Sequence, residues 1–307
     1  MTDRSPLSPL HVCLNSYSYL RYHRSPGHKS SSSETRSSKP QPRSSTASHS
    51  KPPSKNVFRT PCLPDHTAYL TLTDTLPDVN RRFDVVNRGL SGYNTSQALK
   101  ALPRIFRPAS ADGPQIKYLL VLFGANDACV PLPTNDQHVP LDEFRRNLAG
   151  IITHPTILSH RPKILLVTPP PLDEIRITTL DLALGHPSAT RRAKVSASYS
   201  QAVREIAAEH EDTVTLIDLW KGVMDRAVEK TLEFDPRGGK TLGDPDSGLR
   251  GYLEHLLPDG LHMSGESYRV FFELVKGHIG REWAGTAEEE RVGYVLPDWR
   301  VAPKLEH

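Results

Sequence analysis

The sequence predicts an α/β protein in which helices cover both faces of a parallel sheet. Short apolar runs alternate with longer segments whose apolar residues recur every three or four positions. The short runs are apolar at nearly every position, which is typical of strands buried on both faces of a parallel sheet. Because strands that alternate with helices form βαβ units, we expect the strands to run parallel in one sheet.

Four strands follow from the apolar runs. The run 117–123 is almost continuously apolar, and Lys163–Val167 is cut off by the motif Thr168-Pro-Pro-Pro171. Proline cannot continue a central strand, so the second of these strands ends there. The predicted strands are residues 83–87, 117–123, 163–167 and 214–219.

Five helices follow from the apolar stripes. The last one has Ser264 as its N-cap, and we expect Pro103 to kink or interrupt the first. The stripe of the last helix consists of Tyr268, Phe271, Phe272, Val275 and Ile279. The predicted helices are residues 95–106, 141–152, 189–210, 220–230 and the segment after Ser264.

The N-terminal part of the chain differs in composition. Residues 25–55 contain twelve Ser and five Pro, and Ala47 is the one apolar residue among them. Such a segment cannot bury enough surface to offset its ordering entropy. Residues 21–55 carry eight Lys and Arg against Glu34, whereas the whole chain has a net charge of +3, so the remainder is acidic. We expect residues 1–64 to be a disordered tail and residues 65–307 to be the folded domain.

Composition also limits the possible partners and compartments. The Ser- and Arg-rich N-terminus is similar to an organellar transit peptide, but three scattered cysteines favour a reducing, cytoplasmic location. No apolar run approaches the ~20 residues that span a bilayer. The basic segment lacks interleaved aromatic residues, so no nucleic-acid partner is expected. No cysteine or histidine spacing indicates zinc, and no cofactor is expected.

A carboxylate and an imidazole stand close together ahead of the last helix, in the motif Asp259-Gly-Leu-His262. An aspartate at this spacing can accept the Nδ1 proton of the histidine and leave Nε2 as a base. The alternative is an exposed loop in which Asp259 lies near a helix N-terminus, where negative charge is favourable.

Two further polar clusters follow predicted strands. Asn126, in Gly124-Ala-Asn-Asp127, can donate its side-chain amide to an oxyanion, and Asp127 can brace the loop. Gly92, in Ser91-Gly-Tyr-Asn94, can bring its backbone N–H close to a ligand. Both clusters also suit ordinary turns. Because ligands bind at the carboxyl ends of parallel strands, we expect both clusters to meet the Asp259 motif there.

In this order, the motifs resemble the SGNH (GDSL-type) hydrolase superfamily, and within it the isoamyl acetate-hydrolysing esterase group. The motifs are Asn87-Arg-Gly-Leu-Ser-Gly-Tyr-Asn-Thr95, Leu122-Phe-Gly-Ala-Asn-Asp127, Leu166-Val-Thr-Pro-Pro-Pro-Leu-Asp173, Asp259-Gly-Leu-His262 and Pro297-Asp-Trp-Arg300. The resemblance implies a flavodoxin-like three-layer α/β/α fold and metal-free hydrolysis of short-chain, acetate-type esters. It implies His262 as general base and Asp259 as its orienting partner, with Gly92 and Asn126 as oxyanion donors. Oligomeric state and the preferred acyl and alcohol groups do not follow from it.

One block of the superfamily is missing. The resemblance implies a first strand ending in Gly-Asp-Ser, whose serine attacks the ester, and this tripeptide does not occur in the chain. We therefore expect the first strand to be absent or replaced, for example by Tyr69-Leu-Thr-Leu-Thr73. Ser16, after His11-Val-Cys-Leu14, is the candidate nucleophile. The alternatives are a catalytically inactive ligand-binding protein of the same fold, or a truncated or mis-spliced form.

Overall fold

Five parallel strands form the sheet in the computed structural model. The structure describes residues 82–281 and 300 in full, and the backbone of residues 8–14. In chain order the strands are β1 (Ser8–Leu14), β2 (Phe83–Asn87), β3 (Tyr118–Leu122), β4 (Lys163–Val167) and β5 (Val214–Ile217). Their order across the sheet is β2-β1-β3-β4-β5. This is the flavodoxin-like order, in which ligands bind at the carboxyl edge beside the first strand.

Strand β1 corrects our expectation for the N-terminus. It pairs with β2 from Ser8 opposite Phe83, and with β3 up to Leu14 opposite Leu122. Of the two alternatives that we expected, the first strand is therefore replaced and not absent, and residues 8–14, which we expected to belong to the tail, supply it. The composition of residues 1–64 as a whole hides this short apolar run, which gives hydrogen-bond partners to two strands at once. The expected domain boundary near residue 65 and the substitute strand Tyr69–Thr73 lie outside the described residues.

Helices cover both faces of the sheet. One hydrophobic cluster joins one face of β3 and β4 to α1, α2 and α5, and a second joins the opposite face to α6, α7 and α8. The helices are α1 (Thr95–Ile105), α2 (Leu141–Ile152), α3 (Pro155–Leu158), α4 (Glu174–Ala183), α5 (Ala193–Glu209), α6 (Leu219–Glu229), α7 (Leu253–Leu256) and α8 (Gly265–Lys276).

Alternation along the central strands explains the three layers. Leu119 and Val121 of β3 belong to the first cluster, whereas Leu120 and Leu122 belong to the second. Because successive side chains of a strand point to opposite faces, a continuously apolar strand needs helices on both sides. The predicted three-layer α/β/α fold is confirmed.

Several predicted bounds agree with the structure, and one differs for a clear reason. Ser264 caps α8 as predicted, and Pro103 lies inside α1 without ending it before Ile105. The helix predicted from residue 189 begins at Ala193, because Thr190 O accepts the Val130 N–H at 2.7 Å and Arg191 forms an antiparallel bridge with Cys129. Helices α3, α4 and α7 were not predicted. No helix in the described part of the chain is long and apolar enough to cross a bilayer.

Candidate active site

Asp259 and His262 form a hydrogen-bonded pair. Asp259 Oδ1 accepts the backbone N–H groups of His262 at 2.7 Å and of Leu261 at 3.0 Å, and Oδ2 is bonded to Nδ1 of the His262 ring. Both side chains are partly exposed, 31% for His262 and 29% for Asp259. Burial alone raises the pKa of Asp259, but the hydrogen bonds from His262 outweigh burial and lower it below its ordinary range. The ionised carboxylate favours the His262 tautomer with its proton on Nδ1, so that Nε2 can act as a base.

Gly260 allows this loop to lie against the start of α4. Its φ is +89°, and a Cβ at this position would lie 2.7 Å from Asp173 O and 2.9 Å from Ile177 Cγ1. The Asp173 N–H donates to Gly260 O at 2.8 Å. Any other residue here would be strained and would push the loop away from its support.

A buried ion pair holds that support in place. The Asp173 side chain has no exposed surface, and its carboxylate accepts the Arg176 N–H at 3.0 Å as the N-cap of α4. Its other oxygen is 2.5 Å from Nε of Arg250. Removing Arg250 would leave the fully buried Asp173 carboxylate without its counter-charge, which is costly, whereas Arg250 is 27% exposed and also pairs with Glu254.

The other predicted site residues lie where β2 and β3 end. Asn126 Nδ2 donates to Tyr93 O at 2.9 Å, which joins Asn126 to the loop of Gly92, whose φ is +80°. Gln137 holds the same loop, since its Nε2 donates to Gly92 O at 2.9 Å and its backbone oxygen accepts Asn94 Nδ2 at 3.0 Å. Asn126 has no exposed surface, whereas Gly92 and Tyr93 are partly exposed. We call these five residues the amide corner.

Asp127 braces the amide corner. Its Oδ1 accepts both the backbone N–H of Thr95 at 2.8 Å and the Thr95 hydroxyl at 2.5 Å. Burial raises the pKa of Asp127 above its ordinary value, although the hydrogen bonds from Thr95 oppose the shift. The carboxyl group thus ties the start of α1 to the exit of β3.

Arg191 also reaches the amide corner, and sequence reasoning missed it. Its Nε donates to Ala125 O at 2.9 Å, and its Nη2 donates to Asn126 Oδ1 at 3.0 Å. The sequence carries no signal for this role, because Arg191 lies inside a segment with a helical pattern and an isolated arginine there is an ordinary solvated residue.

The segment that follows β4 contacts the loops of both halves of the site. Gly124, at the exit of β3, has a φ of +117°, and a Cβ there would lie 2.9 Å from Pro169 Cγ. Asp173, four residues after Pro169, donates its backbone N–H to Gly260 O. Residues 168–173 therefore connect the amide corner to the Asp259–His262 loop at the carboxyl edge of the sheet.

The structure thus brings Asp259 next to His262, and Asn126 next to the loop of Gly92. Ser16 lies outside the described residues, two positions after Leu14. Leu14 pairs with Leu122, so β1 ends at the edge of the sheet from which residues 123–127 depart. The catalytic roles of Asp259, His262, Gly92 and Asn126 stay predictions.

Comparison with known proteins decides the family. A family model described as the GDSL-like lipase/acylhydrolase family matches residues 64–270, which include all four predicted site residues. The chain belongs to this family. The matched GDSL region begins after β1, so the strand that lies between β2 and β3 is outside it.

Curated relatives place the chain more closely within the GDSL family. A GDSL esterase/lipase of Arabidopsis thaliana is 33% identical over 68% of this chain and 78% of the relative. An isoamyl acetate-hydrolyzing esterase 1 homolog of Bos taurus is 35% identical over 72% of this chain and 76% of the relative. The isoamyl acetate-hydrolyzing esterase of Saccharomyces cerevisiae is 29% identical over 73% and 79%. These similarities confirm the SGNH superfamily and its isoamyl acetate-hydrolysing esterase-like group.

Among solved structures, an acetylxylan esterase from Geobacillus stearothermophilus is 19% identical to this chain. The similarity covers 72% of this chain and 84% of that one, with a TM-score of 0.46. The family membership makes the chain an ester hydrolase by descent, and the chemistry of its own residues is a separate question.

Proposed function

We propose that this chain hydrolyses short-chain, acetate-type carboxylic esters by acyl transfer to a serine. The observation that carries the proposal is the Asp259–His262 pair, in which one carboxylate binds both the ring Nδ1 and the backbone N–H of the histidine. This double contact fixes the tautomer and the orientation of the ring together, as a general base requires.

In the proposed mechanism, His262 Nε2 takes the proton of the serine hydroxyl as its oxygen attacks the ester carbonyl carbon. The carbonyl oxygen becomes an anion, stabilised by the Gly92 N–H and by the second N–H of Asn126 Nδ2, whose first N–H is bonded to Tyr93. His262 then returns the proton to the leaving alcohol. Water, deprotonated by His262, releases the acid by the reverse of the first step.

Ser16 is the proposed nucleophile. It follows β1 by two residues, and β1 ends at the carboxyl edge that also carries Asn87 of β2 and Leu122 of β3. In a parallel sheet of this order, reacting groups gather at that edge. Ser18, two residues further along, is a control of the same chemistry.

The short acyl group of the proposed substrate rests on the similarity to isoamyl acetate-hydrolyzing esterases, and a small apolar cavity lies next to Tyr93 of the amide corner. It has a volume of about 40 Å³ and is lined in part by Leu90, Tyr93, Ala98 and Leu102. None of the four predicted site residues, Gly92, Asn126, Asp259 and His262, lines this cavity. Cytoplasmic location, expected from the cysteines, is part of the same proposal.

The test is hydrolysis of p-nitrophenyl acetate, butyrate and octanoate by the full chain, with Ser16→Ala and Ser18→Ala variants. We expect acetate to give the highest kcat/KM, Ser16→Ala to abolish turnover and Ser18→Ala to retain it. A fluorophosphonate probe, which labels activated serines, should modify Ser16 as read by mass spectrometry. Full activity of Ser16→Ala would reject Ser16. Absence of turnover in the unaltered chain would favour an inactive ligand-binding protein.

A further inference from the structure

We propose that Arg191 is a positioning residue of the ester-hydrolysis site, which orients the Asn126 amide and places a positive charge behind it. The proposal rests on the function proposed above, because it gives Arg191 its role through the oxyanion donor Asn126. It concerns a residue that neither the motifs nor the family membership singles out.

The Arg191 guanidinium binds two successive residues of one loop. Its side chain is 7% exposed, with Nε bonded to Ala125 O and Nη2 to Asn126 Oδ1. A guanidinium has donors in a fixed planar fork, so two bonds to neighbouring residues fix its plane against the loop. A lysine at this position has one nitrogen and could not reproduce both contacts in the same geometry.

These contacts decide which way the Asn126 amide points. A guanidinium has donors and no acceptor, so it can bind the amide oxygen and not the NH2 group. On the other side, Tyr93 O is an acceptor and binds Nδ2 of Asn126. A flipped amide would place donors against donors at Arg191 and oxygen against oxygen at Tyr93. Arg191 therefore holds the N–H groups of Asn126 on the side of the Gly92 loop, where the oxyanion is proposed to form.

The charge of Arg191 lacks a carboxylate partner within residues 82–281. Its hydrogen-bond partners there are neutral, with Thr190 Oγ1 at 3.4 Å and Gln137 Oε1 at 3.5 Å in addition to Ala125 and Asn126. A buried cation that forms no direct ion pair is costly in the resting protein, and the buried carboxylate bonded beside it, Asp181, binds the backbone N–H of Thr190 and not the guanidinium. A negative charge that develops next to Asn126 would relieve this cost in the transition state alone, which is how an electrostatic contribution raises kcat.

A purely structural role makes a different prediction. Arg191 also pairs with Cys129 through the backbone, so its segment helps to hold the loop after β3. If its side chain only stabilised this packing, its loss would lower activity by the same factor whether or not Asn126 is present. If it acts through Asn126, its loss matters little once the Asn126 side chain has been removed.

The experiment is a double-mutant cycle on the full chain, with Arg191→Met, Asn126→Ala and the double variant. Arg192→Met is the control, since it changes the exposed neighbour of Arg191. With p-nitrophenyl acetate, we expect Arg191→Met to lower kcat by roughly 10- to 100-fold with little change in KM, in keeping with loss of an oxyanion contact. The double variant should be within about threefold of Asn126→Ala. Arg191→Lys should fall between wild type and Arg191→Met, and Arg192→Met should match wild type.

A second readout does not need activity. In full-length protein with ¹⁵N-labelled asparagine, the side-chain NH2 resonances of Asn126 are assigned by their loss in Asn126→Ala. We expect them to shift in Arg191→Met and to exchange faster with solvent, with no change in Arg192→Met. If Arg191→Met does not fold, both the kinetics and the Asn126 resonances are measured on Arg191→Lys instead.

Two results would overturn the proposal. One is a loss of kcat in the double variant equal to the product of the losses in the two single variants. The other is an Asn126 side-chain resonance that does not change in Arg191→Met. Failure of the proposed function would look different, because the unaltered chain would then show no turnover. The Asn126 resonances would still report whether Arg191 orients the amide.

Discussion

The two halves of the candidate site are built in different ways. The Asp259–His262 pair is local, since its members are three positions apart in the chain, and both side chains are about a third exposed. The amide corner is assembled from distant segments, since hydrogen bonds join the buried Asn126 to Tyr93 on one side and to Arg191, outside the corner, on the other. The Asp259–His262 contact therefore needs only its own loop to fold. The amide corner needs the strands that carry its loops to be paired in the native order.

The two halves also differ in the number of contacts that hold them in place. The base loop depends on one close backbone contact, between Gly260 and Asp173. The amide corner is held by several hydrogen bonds from Gln137, Asp127 and Arg191. In the Asp259–His262 half, we expect one substitution of a reacting group or of Gly260 to remove most of the activity. In the amide corner, we expect each single substitution to lower it by a smaller factor.

Between the two halves, the larger effect should come from the carboxylate of the base pair. Asp259→Asn keeps the shape of the side chain but lets the amide NH2 face Nδ1, which favours the wrong tautomer of His262. We expect kcat for p-nitrophenyl acetate to fall by roughly 10⁴-fold, with KM nearly unchanged. The measurement is steady-state kinetics on protein whose Tm is recorded beside wild type. A loss below about tenfold would mean that Asp259 does not orient the base.

A smaller effect is expected in the amide corner. Asn126→Ala removes one proposed oxyanion donor while the Gly92 N–H remains, so kcat should fall by roughly 10²- to 10³-fold. Steady-state kinetics on the same ester measure it, with Gln201→Ala, which removes an exposed carboxamide, as the control. Unchanged kcat in Asn126→Ala would show that Asn126 is not an oxyanion donor.

The steric contact of the base loop can be isolated with two glycines. Gly185 has a φ of +92°, close to the +89° of Gly260, but a Cβ at Gly185 meets nothing within 4 Å. An alanine at positive φ costs roughly 1–2 kcal/mol by itself, so Gly185→Ala should lower the unfolding free energy by about that amount. Gly260→Ala should cost roughly 1–3 kcal/mol more, because overpacking adds to the strain.

Urea unfolding of both variants measures this difference. Kinetics should show reduced kcat for Gly260→Ala and wild-type kcat for Gly185→Ala. Equal unfolding free energies would show that the contact between Gly260 and Asp173 does not constrain the loop.

The smallest effects concern pH, and here the two halves should respond in opposite directions. The pKa of Asp259 is lowered in the folded state, so its ionisation stabilises the protein above pH ~4 and the contribution is lost as pH falls through the folded pKa. The pKa of Asp127 is raised, so its contribution is lost as pH rises through the folded pKa.

Urea unfolding between pH 3 and 7 tests this prediction with Asp259→Asn and Asp127→Asn. From pH 3 to 7, the first variant should lose stability relative to wild type and the second should gain it. The same trend in both variants would contradict the difference between the two environments.

The sequence predicts the local features of this site better than the assembled ones. Asp259 and His262 are recognisable because their spacing alone allows the contact, and Asn126 because it follows an apolar strand. Arg191 is not recognisable, since its partners are more than sixty residues away and nothing near it departs from a helical pattern. For β1, the sequence shows a short apolar run ending at Leu14 but not its place in the sheet, because the serine-rich segment after it dominates the composition and its partner strands are distant in sequence.

Comparing wild type with His262→Ala and His255→Ala tests the central claim most directly. His255 lies seven residues upstream and is mostly exposed, so it controls for loss of an imidazole as such. If the Asp259–His262 pair is the base of an esterase, the unaltered chain hydrolyses p-nitrophenyl acetate, His255→Ala keeps that activity and His262→Ala loses it by roughly 10⁴-fold or more. Hydrolysis that survives in His262→Ala at the wild-type rate would contradict the account.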